Sequence, residues 1–151
     1  EMCIGDSSTK VGEPVKPLWE VASGGELSRI MLAVKSCLAE EDDIDTLIFD
    51  EIDVGISGRT AQKVSEKLSA IAMRHQVICI SHLPQIAAMA DAHFKIEKQV
   101  VGQKTITGIE RLQEEASITE IARMLGGVEI TDSVLESAAV MKELAKRTKI
   151  Y

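Results

Sequence analysis

Two short apolar runs separated by an amphipathic segment constrain the fold of this 151-residue chain more than any other feature. The first run is Thr46–Phe49, the second is Gln76–Ile80, and polar residues follow each of them directly. The segment between them carries apolar residues at helical spacing, namely Ala61, Val64, Leu68 and Ile71. The pattern predicts a β-α-β unit with two parallel strands, buried on both faces and joined by a right-handed crossover.

The rest of the sequence predicts helices and a hairpin around this unit. Residues 1–22, rich in glycine and proline, are expected to form a strand remnant and a loop. The other predicted elements are helices over about Gly24–Glu40, Pro84–Met89, Ile118–Leu125 and Asp132–Arg147, and a hairpin of His93–Gln99 with Lys104–Leu112. The predicted fold class is therefore α/β, a largely parallel sheet flanked by helices, with a terminal β-hairpin and carboxy-terminal helices in one domain over residues 1–151.

Composition limits the partners and the compartment of the chain. A net charge of −7 argues against most of this surface binding nucleic acid or an anionic membrane. Cys3, Cys37 and Cys79 are odd in number and widely spaced, which favours free thiols in a reducing cytoplasm, with Cys79 buried in its apolar run. No apolar run is long enough for a membrane span, and the start at Glu1 rather than Met indicates a fragment or a processed piece.

The stretch Ser23-Gly24-Gly25-Glu26 opens the first long helix. Ser23 and Glu26 match a capping box. The glycine pair exposes unpaired N–H groups at the positive end of the helix dipole, and such a surface binds phosphate. The alternative is a capped helix start without a ligand, and a Ser23 used as a cap would be less free to bind phosphate.

Polar residues follow both predicted parallel strands. Asp50-Glu51 comes after the first strand and Ser81-His82 after the second. Because ligands bind outside the carboxyl ends of parallel strands, both pairs are expected at one crevice. Solvated loop acids and a capping histidine are the alternative interpretation, but their joint placement favours a functional site.

In this order the motifs resemble those of the ATP-binding-cassette ATPases, and within them the SMC-like DNA-repair proteins. Leu47–Glu51 resembles a Walker B strand with its following glutamate, and Ser23–Glu26 resembles the signature motif. Ser81–Gln85 resembles the switch region. The string Asp50–Gly58, which includes the D-loop position, favours the SMC-like branch over the transporters. The resemblance covers roughly residues 14–148.

The resemblance implies a role for each of these residues. Asp50 would hold the Mg²⁺ of bound ATP, Glu51 would orient or deprotonate the attacking water, and His82 would contact the γ-phosphate. The cofactor-binding residues would be Ser23, Gly24, Gly25 and Glu26, which reach across a dimer to the nucleotide of the other subunit, and Asp53 in the D-loop. Arg29 and Lys35, on the signature helix, receive no firm role.

The phosphate-cradling P-loop of that family is absent from the sequence. No G-x-x-x-x-G-K-[ST] occurs, and Gln85 is not the family's Q-loop, which belongs to the same missing half. The chain is therefore predicted to be the carboxy-terminal part of a split ATPase head, inactive alone. Its expected partners are an amino-terminal Walker A half, a second head in a head-to-head homodimer, and DNA through the full-length protein. The expected setting is repair and recombination at the bacterial nucleoid in the cytoplasm, without a membrane.

Three other interpretations stay open on sequence grounds. A metal-dependent nuclease would use Asp50, Glu51 and Asp53. A zinc site is a weaker possibility, with Cys79, His82, Asp91 and His93 as its ligands. A non-catalytic interaction module would dock a partner on the apolar face of the last helix, formed by Val134, Leu135, Ala138, Met141 and Leu144.

Overall fold

The computed structural model describes residues 6–7, 12, 14, 16–17, 20, 22–38, 43–102, 104–127 and 129–149. Its strands are β1 (Asp6–Ser7), β2 (Lys16–Pro17), β3 (Thr46–Phe49), β4 (Gln76–Cys79), β5 (His93–Val101) and β6 (Lys104–Leu112). Its helices are α1 (Gly24–Leu38), α2 (Gly58–Ile71), α3 (Pro84–Met89), α4 (Glu114–Gly126) and α5 (Asp132–Thr148). The predicted mixed α/β class is confirmed. Cys3 and the last two residues of the first predicted helix lie outside the described residues.

The predicted β-α-β unit forms with parallel strands. β3 and β4 pair in register from Thr46 opposite Gln76 to Phe49 opposite Cys79. The Ile80 N–H donates to the Phe49 carbonyl at 3.0 Å and extends the pairing by one bond. The core beneath this unit consists of Leu32, Leu47, Phe49, Ile52, Val64, Leu68, Ile71 and Ile86. These residues come from three helices, β3 and the turn after β3, and the apolar periodicity of α2 places its inner face as predicted.

The strands are not buried on both faces, contrary to the sequence prediction. Ile48 is 68% exposed, and Ile78 and Ile80 are 44% and 50% exposed. The described helices cover only the face that carries Leu47 and Phe49, which are buried. In this part of the chain the parallel sheet therefore has two strands and one uncovered apolar face. Parallel sheets are normally covered on both faces, because each face is apolar.

A second core joins α3 to the two carboxy-terminal helices. Its buried members are Ala88, Met89, Ile121, Ala122, Ala138 and Ala145, and Val134, Leu135 and Met141 pack against them. The apolar face of α5 thus packs mainly within this chain. Helix α4 begins at Glu114, four residues before the predicted start, because Glu114 and Glu115 place two carboxylates in its first turn, where the helix dipole favours negative charge. The hairpin β5–β6 forms as predicted and is antiparallel.

A buried polar cluster fixes the start of the hairpin to α4 and α5. The Ser117 side chain is buried, its Oγ lies 2.9 Å from Nδ1 of His93, and Lys142 donates to the same oxygen at 3.0 Å. Burial, and then the charge of Lys142, lowers the pKa of His93 against the opposing effect of Glu120. Burial also lowers the pKa of Lys142. The cluster therefore favours neutral His93, whose Nδ1 accepts the Ser117 proton.

No helix in the described part of the chain is both long enough and apolar enough to cross a membrane.

Candidate functional site

The start of α1 carries the predicted capping box. The Ser23 N–H and hydroxyl both donate to Glu26 Oε2, at 2.8 and 2.9 Å, and the Glu26 N–H donates back to Ser23 Oγ at 3.3 Å. The hydrogen bond from the Ser23 backbone, followed by that from its hydroxyl, lowers the pKa of Glu26. The Ser23 hydroxyl thus acts as a helix cap in this structure. A hydroxyl engaged in capping is less free to bind phosphate, as the sequence predicts.

The glycine pair at this helix start lies against the turn that follows β3. A Cβ added to Gly24 would lie 2.5 Å from Glu51 Oε2. A Cβ added to Gly25 would lie 2.8 Å from the Glu51 carbonyl oxygen and 3.1 Å from Val54 Cβ. Gly25 therefore has a packing reason within the chain, because it meets backbone, whereas Gly24 meets only the end of the Glu51 side chain.

The turn after β3 begins with two outward-facing acidic side chains. Asp50 and Glu51 are exposed, whereas Ile52 is fully buried and anchors the turn in the core. Glu51 has φ +58°, the one described non-glycine residue with positive φ. Its N–H donates to Asp50 Oδ1 at 2.9 Å, and its carbonyl accepts from the Val54 N–H at 3.1 Å. Such a backbone conformation costs about 1–3 kcal/mol and persists only where surrounding contacts fix it.

Asp53 connects the turn after β3 to the loop after β4. Its carboxylate is 2% exposed, and Oδ2 accepts from Ser81 Oγ at 2.6 Å and from the His82 N–H at 2.8 Å. The same oxygen lies 3.0 Å from Nδ1 of His82, whose side chain is 72% exposed. The Leu83 N–H in turn donates to Ser81 Oγ at 3.1 Å. The two strand ends are therefore joined by one buried carboxylate.

This network sets the charge of Asp53 and of the neighbouring thiol. Burial raises the pKa of Asp53, but the hydrogen bonds from Ser81 and His82 outweigh it, so the pKa lies below its usual value. Burial, followed by the negative charges of Asp53 and Asp50, raises the pKa of the Cys79 thiol to about 12. Cys79 is a free, partly buried thiol, less enclosed than the sequence predicts.

Curated bacterial proteins match nearly the whole chain. A DNA repair protein RecN of Halalkalibacterium halodurans is 51% identical over 142 residues, which are 94% of this chain and 25% of that protein. The RecN of Bacillus subtilis is 49% identical over 93% of this chain and 24% of its own length, and that of Treponema pallidum is 52% identical over 80% and 21%. The chain belongs to the RecN family. It spans about a quarter of the length of these relatives and corresponds to their carboxy-terminal part.

A solved structure supports the fold of this RecN-type chain. It is described with the words "Structural biochemistry of ATP-driven dimerization and DNA stimulated activation of SMC ATPases". The superposition has a TM-score of 0.52 and covers 78% of this chain and 70% of the solved one, at 20% identity. The likeness shows an SMC-type fold. No family model matches the chain.

The structure groups the predicted site residues of this RecN-type chain into two clusters. Ser23, Gly24, Gly25 and Glu26 lie at the start of α1 beside Glu51 and its neighbour Asp50, and Asp53 lies with His82. Within the described residues, no group of three His, Cys, Asp or Glu side chains is placed to bind a metal ion. The zinc and nuclease alternatives therefore gain no support, and Asp53 is turned away into hydrogen bonds with Ser81 and His82.

Two residues of α1, Ser28 and Arg29, contact the turn after β3, although no role for them was predicted from the sequence. Arg29 Nη1 donates to the carbonyls of Ile52 at 3.0 Å and Val54 at 2.9 Å. Ser28 Oγ donates to the Asp50 carbonyl at 2.8 Å. The spacing of Gly25 and Arg29, four residues apart on one helix face, is the one sequence signal that could have indicated a shared contact.

Proposed function

We propose that this chain supplies one lobe of an ATP-hydrolysing head in an SMC-like protein of DNA repair. The observation that carries the proposal is the contact between Gly24 and Glu51, which unites a helix start suited to phosphate with the carboxylate that ends a parallel strand. The relatives named DNA repair protein RecN and the SMC-type fold support the same assignment.

An amino-terminal Walker A half is the partner that completes this head. The uncovered sheet face with Ile48, Ile78 and Ile80 is a surface of the kind that another layer of structure covers. The relatives are about four times longer than the matched region, so they contain ample additional chain. The missing half would also bring the P-loop that this sequence lacks.

Asp50 suits the Mg²⁺ that accompanies ATP. Its carboxylate is exposed at the end of β3, and its Oδ1 accepts one hydrogen bond, from the Glu51 N–H. Mg²⁺ is usually held by one or two carboxylates together with water and substrate phosphates, so a single acid fits this duty. When bound, the ion would neutralise charge on the phosphate oxygens.

Glu51 and His82 are the proposed catalytic residues. Glu51 is exposed beside the helix start, where it would orient or deprotonate the attacking water. The contact between Nδ1 of His82 and Asp53 fixes the ring and leaves Nε2 as the nitrogen that would contact a γ-phosphate. Asp53 thus acts through His82 in this mechanism, by holding its ring and its backbone N–H.

The signature residues would serve the nucleotide of a second subunit. In a head-to-head homodimer, Ser23 and the N–H groups of Gly24 and Gly25 would meet the γ-phosphate bound by the other head. Because the Glu51 carboxylate lies over Gly24 and repels a phosphate, engagement of that phosphate would move Glu51 off the glycine. Closure of the dimer would thereby free the Glu51 carboxylate to act on the nucleotide bound by its own subunit. DNA would act on this cycle through the complete protein.

The test is reconstitution with a Walker A half. This chain is mixed with a separately made amino-terminal half that carries a stub of coiled coil, and steady-state ATP hydrolysis is measured across protein concentration. We expect activity that rises faster than linearly with concentration, and negligible activity from this chain alone. Glu51→Gln should lower turnover by about 10²–10⁴-fold with nucleotide binding retained. Clear turnover by the pure chain, or a folded but inactive mixture, would contradict the proposal.

A further inference from the structure

Arg29 joins the first helix to the turn that carries Glu51. Its Nη1 donates to two carbonyls of that turn, those of Ile52 and Val54, although more than twenty residues separate them in sequence. We propose that Arg29 is a positioning residue for ATP hydrolysis, which locks the signature helix to the turn of the hydrolytic carboxylate. The inference rests on the proposed function, because it assigns a role within that same site.

Every carbonyl oxygen from Asp50 to Val54 has a hydrogen-bond donor. Ser28 Oγ serves Asp50, and backbone N–H groups within the turn serve the carbonyls of Glu51 and Asp53. The carbonyls of Ile52 and Val54 accept from Arg29, and both bonds come from one nitrogen, Nη1. Loss of the guanidinium would therefore leave two of the five carbonyls without their donor from α1.

The two hydrogen bonds from Arg29 to Ile52 and Val54, called the clamp below, act directly on the conformation of Glu51. This residue has φ +58°, which a non-glycine residue holds only when neighbouring contacts fix it. The bonds from Arg29 act on the carbonyls one and three residues after Glu51, so they fix the chain that leaves the strained position. Arginine suits the task because its guanidinium stays charged and presents its donors in a rigid plane.

Gly25 makes room for this contact. A Cβ at Gly25 would lie 3.1 Å from Arg29 Nη1 and 2.8 Å from the Glu51 carbonyl oxygen. The helix and the turn are thus in close contact as well as hydrogen-bonded, and a shift of α1 displaces the turn with it. In a dimer, a phosphate that engages the helix start from one nucleotide site would therefore reposition Glu51, which serves the other site.

A residue that acts only through the turn changes the catalytic rate more than substrate binding. In the reconstituted head, Arg29→Met should lower kcat by about tenfold to a hundredfold, as expected if only part of the two charge-assisted bonds acts on the transition state, with little change in KM. Arg29→Lys keeps a charged donor and should recover part of the loss. The matched control is Arg147→Met, which removes only an exposed ion pair with Glu143 and should leave kcat unchanged.

Amide hydrogen exchange on this chain provides a readout that needs no ATPase activity. The N–H groups of Val54 and Ile56, both bonded within the turn, should exchange about tenfold faster in Arg29→Met than in Arg147→Met. Unchanged exchange together with wild-type kcat would overturn the clamp while the proposed function stands. Faster exchange in Arg29→Met, combined with a reconstituted wild-type head that hydrolyses no ATP, would instead contradict the proposed function and leave the Arg29 bonds as a structural contact. An Arg29→Lys variant as inactive as Arg29→Met, with normal exchange, would also contradict the inference.

Discussion

Replacing each of the two glycines at the start of α1 with alanine should have different effects on stability. At Gly25 the new methyl group would lie 2.8 Å from the Glu51 carbonyl oxygen, which is backbone and cannot swing aside, and 3.1 Å from Val54 Cβ. At Gly24 it would meet Glu51 Oε2 at 2.5 Å, which is the end of an exposed, flexible side chain. The neighbouring substitutions therefore differ in what must move.

The magnitude follows from two opposing effects. Forcing a methyl group into a packed contact costs about 1–3 kcal/mol. Alanine is better than glycine in a helix by up to about 1 kcal/mol. Gly25→Ala should therefore destabilise the chain by about 1–2 kcal/mol, since the turn must shift. Gly24→Ala should leave stability unchanged or raise it by up to about 1 kcal/mol, because only the Glu51 carboxylate moves.

Urea unfolding followed by far-UV circular dichroism measures both variants against the wild-type chain. A thermal scan gives a second value, since each kcal/mol corresponds to about 2–4 °C in Tm for a chain of this size. Gly25→Ala at wild-type stability would refute the argument that the helix start is closed against the turn. A loss in Gly24→Ala as large as that in Gly25→Ala would refute the distinction between backbone and side-chain contacts.

Three further predictions concern other parts of the molecule. Asp53→Asn should lower the free energy of unfolding in urea by about 1.5–3 kcal/mol at neutral pH, since Ser81 and the loop after β4 lose a charged acceptor. Because the folded pKa of Asp53 is lowered, the stability difference between wild type and Asp53→Asn should shrink as pH falls through that pKa. A difference that stays constant with pH would contradict this prediction. Because the pKa of His93 is lowered in the folded chain, the unfolded chain binds more protons, so the free energy of unfolding should fall as pH drops below about 6.5. In a series of unfolding curves measured across pH, His93→Gln should reduce this dependence of stability on pH. Ile48→Ser should change the stability of the chain little, since Ile48 is 68% exposed, but should weaken co-purification with a Walker A half; equal co-purification would argue against that face as the contact.

The sequence predicts the local elements well, because their periodicity is a property of short segments. The apolar spacing of α2, the two apolar runs and Pro84 at the start of α3 each determine a helix or a strand without distant contacts. The early start of α4 was missed because residues 114–117 carry no apolar repeat. The exposed face of β3 was also missed. Apolar side chains such as Ile48 indicate that a sheet face is normally buried, but they do not indicate which part of the protein covers it.

In the candidate site, too, some features could be predicted from the sequence and others could not. Capping chemistry at Ser23 and Glu26 depends on neighbours three residues apart, so the sequence predicts it. The burial of Asp53 and the bonds of Arg29 depend on groups 23 to 29 residues away, which no local pattern encodes. The roles proposed for Glu51 and for the glycine pair follow from chemistry and resemblance, and they remain predictions for measurement.

Mixing two inactive variants tests the central claim, that each ATPase site combines Glu51 from one subunit with Ser23 from the other. Heads carrying Ser23→Arg and heads carrying Glu51→Gln are each reconstituted with the Walker A half and then mixed in equal amounts. In a symmetric dimer half of the dimers would be mixed, and each would hold one intact site, so activity should return to about a quarter of the wild-type rate. No recovery in a folded, dimerising mixture would contradict the account, because it would mean that Glu51 and Ser23 serve the same subunit's nucleotide.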